Sequence, residues 1–308
     1  MIKKLLILFL IMIQATLETT SQNVSVLESQ FGTTKELKIL SWNIYMLPYL
    51  SLFNGNKKRA EQIGEKLYNS EYQIIVFQEA FSSVCRGIIS KKLRKNYPYQ
   101  YGPANKKHAP FRTNSGLWIA SKIPLEQLDE ITFSISKGYD AVAKKGAAIF
   151  SGKYNGADFQ LITTHLQAEE VHEIRHKQIT EMRENLLNKY NSPFVPQIIC
   201  GDFNIENDDL HNYHSMLTIL DATNGEISGD KTTYDEINNT LSQMRTGKRK
   251  TIDYVLIRNS RWVKKIERKV NTFFENNTKY TGNLSDHYAI EAEVVFYKNG
   301  KFNLAMNN

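Results

Sequence analysis

The chain alternates between short apolar runs and segments in which apolar residues recur at helical spacing. The runs at 37–42 and 73–77 have the length and composition of buried strands. Between them, residues 57–68 place Ala60 and Ile63 on one side of a predicted helix. The N-terminal part of the domain is therefore predicted to alternate strand and helix.

The same pattern extends to the C-terminal region. Strands are predicted at 37–42, 73–77, 115–120, 128–133, 146–154, 159–164, 197–200, 252–257 and 289–296. Helices are predicted at 57–68, 81–93 and 169–190. Four successive strands in the middle of the chain indicate antiparallel pairing. Many strands with few helices predict an α/β (α+β) fold in which two packed sheets lie between outer helices.

Composition is that of a globular protein, since 41% of the 308 residues are hydrophobic and 23% are charged. No linker, repeat or low-complexity tract divides the chain, so we predict one domain at 35–308 after a short polar leader at 22–34. Of the two cysteines, Cys200 lies inside an apolar run. Two cysteines do not make a disulfide framework, so a lone buried thiol is expected there.

The N-terminus has the pattern of a secretory signal peptide, predicted to span 1–21. Lys3 and Lys4 precede nine apolar residues, a run too short to cross a bilayer. We therefore expect a secreted protein; a retained membrane anchor is the alternative. The formal net charge of +7 favours anionic partners, whether nucleic acid, acidic lipid or cell wall.

Polar side chains stand where the predicted strands end. In QIICGDFNIEN, Asp202 and Asn204 follow an apolar run and are two residues apart, so an extended chain would aim both at one cation or phosphate. An ordinary strand exit is the alternative. Other acids, amides and imidazoles beside strands are Asn43, Glu79, His165, Asp253, Asp286 and His287. Ligands and catalytic groups of layered α/β proteins gather at strand ends.

Metal-assisted phosphoryl transfer to water is the chemistry that uses such a set. Glu79, with Asn43, offers the hard oxygen ligands that Mg²⁺ prefers. A histidine can take a proton from the attacking water while a carboxylate orients its ring. Asn204 and a second histidine can donate hydrogen bonds to phosphate oxygens as charge develops.

Six motifs together carry a family resemblance: WNIYMLP, FQEAF, THLQAEE, CGDFNIE, TIDYVLI and LSDHYAIEA. Over about 37–295 they resemble the endonuclease/exonuclease/phosphatase (DNase I-like) superfamily, and NIYMLP with THLQAE is similar to the neutral sphingomyelinases, including bacterial sphingomyelinase C. The resemblance implies a four-layer α/β/β/α sandwich. It also implies a secreted enzyme, expected to be monomeric, that uses Mg²⁺ (with Mn²⁺ or Co²⁺ as substitutes) to split membrane sphingomyelin into ceramide and phosphocholine.

The resemblance also implies roles for individual residues. Glu79 would be the principal metal ligand, Asn43 an adjacent ligand or phosphate contact, and Asp286 a group close to the metal.

Two other functions stay open: a secreted nuclease that binds nucleic acid, favoured by the basic charge, and a catalytically silent surface-binding toxin on the same scaffold.

His287 would be the general base, oriented by Asp253. His165 would contact the phosphate or assist the leaving group, while Asp202 and Asn204 would position water and phosphate oxygens. The division of roles between His165 and Asp202 stays open.

Two features are predicted to regulate the enzyme or to bring it to a membrane. Asp140 and Lys145 match a pair that the resemblance links to switching between idle and active states; an exposed ion pair is the alternative. Phe273 and Phe274 are predicted to contact a membrane; the alternative is that one packs inward and the other is a tolerated exposed aromatic. A second lipid-contact candidate is the apolar stretch 45–53.

A zinc-protease motif is also present, because His172, Glu173 and His176 read H-E-x-x-H. Its mostly charged surroundings favour a solvated helix face, so zinc is not expected. The basic run 247–250 is expected to be a solvated loop; the alternative is that it attracts phosphates near the site, which would suit lipid and nucleic acid alike.

Overall fold

The apolar runs form two large sheets in the computed structural model, which describes residues 36–47, 55–105, 113–168, 171–242 and 247–297. The predicted signal peptide at 1–21, the leader at 22–34 and residues 48–53 of the second lipid-contact candidate lie outside the described residues. None of the helices in the described ranges has both the length and the apolar character needed to cross a membrane.

Seventeen strands and four α-helices are present in the described part of the chain. The strands are β1 (Leu37–Asn43), β2 (Ile74–Gln78), β3 (Tyr99–Tyr101), β4 (Trp118–Ser121), β5 (Leu125–Thr132), β6 (Gly146–Tyr154), β7 (Ala157–His165), β8 (Gln197–Asp202), β9 (Ala222–Thr223), β10 (Ile227–Ser228), β11 (Tyr234–Asp235), β12 (Arg249–Lys250), β13 (Asp253–Arg258), β14 (Val263–Asn271), β15 (Phe274–Asn276), β16 (Thr281–Asn283) and β17 (Ala289–Phe296). The helices are α1 (Asn56–Tyr68), α2 (Ser83–Leu93), α3 (His172–Met182) and α4 (Leu210–Leu220).

Both large sheets are mixed. The first has the order β10-β14-β17-β1-β2-β4-β3, and the second has the order β5-β6-β7-β8-β13-β9. β1 and β2 are parallel, as are β7 and β8, whereas β5, β6 and β7 are antiparallel as predicted for the middle of the chain. Two short hairpin pairs, β11-β12 and β15-β16, lie apart from the sheets.

Three apolar clusters define the layers. Ile39 and Val76 on the first sheet pack against Leu161 and Ile198 on the second, which joins the inner faces of the sheets. The outer face of the first sheet packs on α1 and α2, and the outer face of the second packs on α3 and α4. Because both faces of each sheet are covered, the central strands are continuous apolar runs. The predicted four-layer α/β/β/α sandwich is confirmed.

Element boundaries differ from the prediction where a cap or a turn intervenes. The helix predicted at 81–93 begins at Ser83, because the Ser82 hydroxyl caps it by accepting a hydrogen bond from Cys85 N at 3.3 Å. The helix predicted at 169–190 is α3, which continues as a single π-helical turn, Arg183–Leu187. α4 and β14 were not predicted. Cys200 is free and buried, as expected.

Strand registers bring the polar strand ends to one edge of the sandwich, here called the polar edge. The last residue of β1 is level with the last residue of β2, and His165 at the end of β7 is level with Asp202 at the end of β8. β13 runs antiparallel to β8, so its first residue, Asp253, also lies level with Asp202. The fold therefore gathers residues that are far apart in sequence.

Candidate active site

The exits of β1 and β2 supply Asn43 and Glu79 to the polar edge. The Nδ2 atom of Asn43 donates to Asp202 Oδ2 at 3.1 Å, which links the two sheets. Asn43 Oδ1 accepts a hydrogen bond from the Tyr45 backbone N at 3.1 Å. Glu79 has a φ of 53°, in the left-handed region, and this turns the chain away from the sheet. The carboxylate of Glu79 lines the cavity at this edge.

The GDFN segment ends β8 in a tight turn. A Cβ at Gly201 would lie 2.2 Å from the Thr164 carbonyl oxygen, so only glycine lets β7 and β8 approach this closely. Asn204 has a φ of 52°; its backbone N donates to Asp202 Oδ1 at 3.0 Å and its Nδ2 donates to the Leu166 carbonyl at 3.1 Å. The side chains of Asp202 and Asn204 both line the cavity. The segment is a strand exit, but one whose polar groups face the site.

His287 and Asp253 form a hydrogen-bonded pair. His287 Nδ1 lies 2.9 Å from Asp253 Oδ2, and His287 Nε2 lies 3.8 Å from Asp202 Oδ2. Burial alone would lower the pKa of His287, but the charges of Asp253, Asp202 and Asp286 outweigh it and hold that pKa well above its usual value. This geometry suits a base and its orienting carboxylate; the roles themselves stay a prediction.

His165 faces the same centre from β7. Its Nε2 atom lies 2.9 Å from Lys145 Nζ, 3.4 Å from Asp202 Oδ2 and 4.0 Å from Glu79 Oε1. Burial is the main cause that keeps the pKa of His165 well below its usual value, and the charges of Lys145 and His287 add to it. His165 is therefore neutral at the pH of most cells and body fluids.

The structure brings Asp140 and Lys145 together against the site. Lys145 Nζ lies 2.8 Å from Asp140 Oδ2 and donates to the Leu166 carbonyl at 2.8 Å. The Lys145 side chain is only 2% exposed, so the alternative of an exposed surface pair is wrong. Asp140 Oδ2 also accepts a hydrogen bond from Ala168 N at 2.6 Å. A switching role for the pair stays a prediction.

Three carboxylates crowd the centre: Asp202 is buried, and Glu79 and Asp286 are partly buried. Burial, and then the charge of Asp286, raises the pKa of Glu79 to about 7; burial, and then the charge of Asp253, raises the pKa of Asp202 to about 7. Burial also raises the pKa of Asp286. Such a concentration of buried negative charge is stable only when protons or a cation neutralise it.

Two sets of residues could hold a metal ion. Ligand atoms of Asp202, Asp253 and His287 lie within 4.8 Å of one another. However, His287 Nδ1 and Asp253 Oδ2 already bind each other, which reduces the ligands that this set can offer. The second set is the one predicted from the sequence: Glu79, Asn43 and Asp286. In it, Glu79 Oε2 is buried and has no hydrogen-bond partner in the described part of the chain, as expected of an oxygen that binds a metal ion. The chemistry of the centre fits a divalent metal, and the choice of ligands stays a proposal.

The centre opens into a cavity of about 540 Å³. Its walls include residues that the sequence analysis did not assign to this site: His172, Arg175, Glu206, Tyr234, Glu236 and Lys250. The ring of Tyr234 lies 5.0 Å from that of His287, and Tyr234 reaches it through a short β-bridge that has no sequence signal. Lys250 Nζ pairs with a Glu206 oxygen at 2.6 Å, so this end of the basic run 247–250 is a cavity wall and not a solvated loop.

Residues 40–287 match the profile of the endonuclease/exonuclease/phosphatase family. The chain belongs to this family. It is 28% identical over 259 residues to sphingomyelinase C of Leptospira interrogans, covering 77% of this chain and 46% of that relative, so it spans about half of the Leptospira protein. It is 26% identical to phospholipase C of Staphylococcus aureus, covering 76% and 77%. It is 25% identical to sphingomyelinase C of Bacillus cereus, covering 87% and 91%.

Solved structures of the family agree with this assignment. The chain superimposes on a Staphylococcus aureus beta toxin mutant with bound magnesium ions with a TM-score of 0.74 and 25% identity, over 84% of this chain and 99% of that one. Sphingomyelinase C from Streptomyces griseocarneus gives a TM-score of 0.75 at 22% identity, which shows the fold alone. The predicted resemblance to sphingomyelinases and the DNase I-like fold are confirmed.

Of the two phenylalanines predicted to contact a membrane, only one is exposed to solvent. Phe273 is 7% exposed and its ring stacks on Trp42 with centroids 4.7 Å apart, so the prediction that Phe273 contacts a membrane is wrong. A left-handed φ of 40° at Phe273 turns the side chain into the core. Phe274 is 49% exposed and stays a candidate. In the second lipid-contact candidate, Met46 is buried in the core.

The H-E-x-x-H motif lies on α3, on a helix as predicted, and it forms no metal cluster with the other residues that the structure describes. His172 Nδ1 is 3.8 Å from Asp209 Oδ2, and both side chains are partly exposed. Among the described residues, the cluster with metal-ligating geometry is the one at Asp202, Asp253 and His287. The expectation that this motif does not bind zinc stays a prediction.

Proposed function

We propose that the chain is a secreted, metal-dependent phosphoric diester hydrolase that splits membrane sphingomyelin into ceramide and phosphocholine. The observation that carries the proposal is the His287–Asp253 pair at 2.9 Å, set beside buried Asp202 and facing a cavity of about 540 Å³. The similarity to sphingomyelinase C of two organisms supports the choice of substrate.

Glu79, with Asp286 and Asn43, would hold a Mg²⁺ ion, which when bound polarises a phosphate oxygen and offsets the charge that develops on it. Glu79 supports this choice through its unpartnered buried oxygen. Mn²⁺ or Co²⁺ would bind the same oxygen-rich set in substitution. A bound cation would also offset the negative charge that burial makes costly here.

His287 acts as the general base. Its Nε2 takes a proton from a water in the cavity while its Nδ1–H donates to Asp253, so the carboxylate fixes the ring and stabilises the imidazolium. The water oxygen forms a bond to phosphorus as the bond from phosphorus to the ceramide oxygen breaks. The leaving oxygen takes up a proton from the Asp202 carboxyl, or from His165 once Lys145 has moved away from its Nε2 atom, and His287 later returns the proton of the water to that acid. Asn204 positions a phosphate oxygen.

The protonation state of the base depends on its neighbours. Asp253, Asp202 and Asp286 raise the pKa of His287, so an isolated set of carboxylates would keep the ring protonated and unable to accept a proton. His287 can accept a proton near neutral pH only when a cation or bound protons offset the negative charge of Asp202 and Asp286. The base and the neutralisation of these carboxylates are therefore coupled.

The test is release of phosphocholine from sphingomyelin liposomes, with Mg²⁺ and with chelator, beside a plasmid-nicking assay on the same preparation. Metal-dependent release without nicking supports the proposal. Nicking without release would assign the chain to the nucleases of its family, which its charge of +7 would suit. Silence in both assays would favour the surface-binding toxin. Size-exclusion chromatography tests the expected monomer, and N-terminal sequencing of exported protein tests secretion.

A further inference from the structure

The exposed large apolar side chains are distributed unevenly over the described part of the chain. Six such side chains lie in segments that directly connect to strand ends at the polar edge: Val84, Tyr139, Val142, Leu210, Ile237 and Phe274. We call these six residues the apolar rim. At the opposite edge there are three, Tyr99, Phe194 and Tyr297, of which Phe194 packs against Trp262. The polar edge therefore exposes most of the large apolar side chains, although it also holds the charged centre.

Two members of the apolar rim directly adjoin residues of the cavity wall. Leu210 follows Asp209, and Ile237 follows Glu236; both acidic residues line the cavity. Leu210 is 62% exposed and Ile237 is 52% exposed. They belong to different segments: Leu210 begins α4, and Ile237 follows β11. Two separate segments thus place an exposed apolar side chain directly after a residue of the cavity wall.

The 3₁₀ turn Gly138–Val142 supplies two further members. Tyr139 is 93% exposed and Val142 is 45% exposed. The turn is anchored to the site, because Asp140 Oδ2 accepts the hydrogen bond from Ala168 N, and Ala168 lines the cavity. A tyrosine that is almost wholly in solvent while its neighbour is tied to the site is positioned to contact a partner that approaches the cavity mouth.

A lipid bilayer is the partner that fits this surface. The side chains of the rim belong to separate segments of the chain, and a fluid interface accepts scattered side chains, whereas one bound peptide or helix needs a continuous groove. Tyrosine is enriched where a protein meets lipid headgroups, because its ring is apolar and its hydroxyl is polar. Exposed Lys248, two residues before the cavity-wall residue Lys250, adds positive charge at the same edge.

We propose that the apolar rim is a membrane-contact surface that seats the cavity mouth on a bilayer, with Tyr139, Val142 and Ile237 entering the boundary between headgroups and acyl chains. The orientation rests on the proposed function, because the phosphate to be cut lies at headgroup level. The surface extends membrane contact beyond the β15–β16 hairpin to loops of the second sheet.

Vesicle binding separates this proposal from the chemistry. Each variant is made on a His287→Ala background so that lipid is not consumed, and its binding to sedimented phosphatidylcholine–phosphatidylglycerol vesicles is measured in Mg²⁺ buffer. The double variant Tyr139→Ser/Val142→Ser and the single variant Ile237→Ser test two different loops. Phe194→Ser, 68% exposed at the opposite edge, is the matched control. We expect about tenfold weaker binding for the double variant, equivalent to about 1.4 kcal/mol, a smaller loss for Ile237→Ser, and no change for the control.

Turnover of a short-chain sphingomyelin analogue, held below its micelle concentration, is measured with the same substitutions and an intact His287. We expect wild-type rates on this soluble substrate and slower release from vesicles. Vesicle binding that is equal in the rim variants and the wild type would overturn the proposal, as would an equal loss in Phe194→Ser. Failure of the wild type to bind vesicles would also overturn it and favour a protein partner. If the wild type binds vesicles through the rim but does not turn over the analogue, the proposed function fails and the contact surface stands.

Discussion

The ammonium nitrogen of Lys145 lies 2.9 Å from Nε2 of His165. An ammonium can only donate, so Nε2 must accept, and the neutral imidazole carries its proton on Nδ1. Nε2 is also the nitrogen nearest to Asp202 and Glu79. While Lys145 holds this position, His165 cannot donate from Nε2 to a phosphate or a leaving group. A displacement of Lys145, which is what the predicted switch would require, would release it.

Replacing Lys145 by methionine is expected to raise the pKa of His165. Burial would still hold that pKa below its usual value, but the lysine charge that also lowers it would be gone. NMR titration of the His165 ring in the metal-free protein measures the effect. Asp140→Asn is the matched control, since it removes the partner of Lys145 but keeps the lysine charge, and it should not raise the pKa. An unchanged titration of His165 in the methionine variant would show that Lys145 does not control this ring.

His287→Ala is expected to lower kcat by about 10²- to 10⁴-fold, the usual contribution of a general base. The fold should persist, because the ring lies at the cavity wall and its loss mainly leaves Asp253 without its partner. Turnover of sphingomyelin and thermal unfolding of the same preparation are the measurements. Asp253→Asn should also lower kcat while preserving the shape of the site, because a neutral amide cannot stabilise the imidazolium. Near wild-type turnover by His287→Ala would remove His287 from its proposed role.

Arg59 holds two segments of the site together from α1. Its Nη1 atom donates to the carbonyl oxygens of Ile44 at 3.0 Å and Leu284 at 2.7 Å, and its Nη2 atom donates to that of Tyr45 at 2.5 Å. Ile44 follows Asn43, and Leu284 comes shortly before Asp286 and His287. The guanidinium is wholly buried, so these bonds are protected from water. A single buried guanidinium therefore holds the segment after β1 to the segment before β17.

Arg59→Met is expected to lower the free energy of unfolding by about 3–5 kcal/mol, because it leaves several buried carbonyls unpaired. Arg59→Lys keeps the charge but not the fork of donors, so we expect a smaller loss of stability with a weaker apparent affinity for Mg²⁺. Denaturant unfolding and the Mg²⁺-induced rise in Tm measure the two effects. Arg258→Met, a buried arginine bonded to Gln197 at the opposite edge, should lose stability without a change in Mg²⁺ affinity. Equal Mg²⁺ affinity in all three variants would contradict a positioning role for Arg59.

The candidate site was predictable from sequence because its residues directly follow or open apolar strands. Asp202, His165 and Glu79 each stand at such a position, and the gathering of strand ends at one edge is a general property of layered α/β folds. What local patterns could not supply is the pairing register. The approach of Tyr234 to His287 and the Lys250–Glu206 ion pair both depend on β11 and β12, two-residue strands without periodicity.

The orientation of Phe273 and Phe274 shows the same limit. Alternation along a strand predicts that one of two neighbours points inward, but not which one. The left-handed backbone at Phe273 decides it, by directing that ring onto Trp42 and leaving Phe274 in solvent. α4 was missed for another reason: its apolar residues are interrupted by polar ones, and its N-cap, Asp209, looks like part of the preceding loop.

The affinity for Mg²⁺ is expected to fall as the pH falls through about 7. Glu79 and Asp202 have pKa values of about 7 in the metal-free protein, because burial and neighbouring carboxylates favour their protonated forms. Protons then compete with the cation, directly at the oxygens of Glu79 and through the charge of Asp202 beside them. Above this pH both carboxylates are ionised and attract the cation, and below it each must first lose a proton. From about pH 8 to about pH 6, one group with a pKa of about 7 weakens binding by about tenfold, and two weaken it by up to about a hundredfold.

Calorimetric titration of Mg²⁺ at both pH values, in two buffers of different ionisation enthalpy, measures affinity and the number of protons released together. Proton release near pH 7 is the signature that separates competition at the site from a general loss of stability, because a protein that merely unfolds at low pH would release none at pH 7. Glu79→Gln removes one of the two competing carboxylates; it should bind Mg²⁺ more weakly at pH 8 and depend less on pH. An Mg²⁺ affinity that is equal at both pH values, without proton release, would mean that the cation is not held by Glu79 and is not attracted by the charge of Asp202.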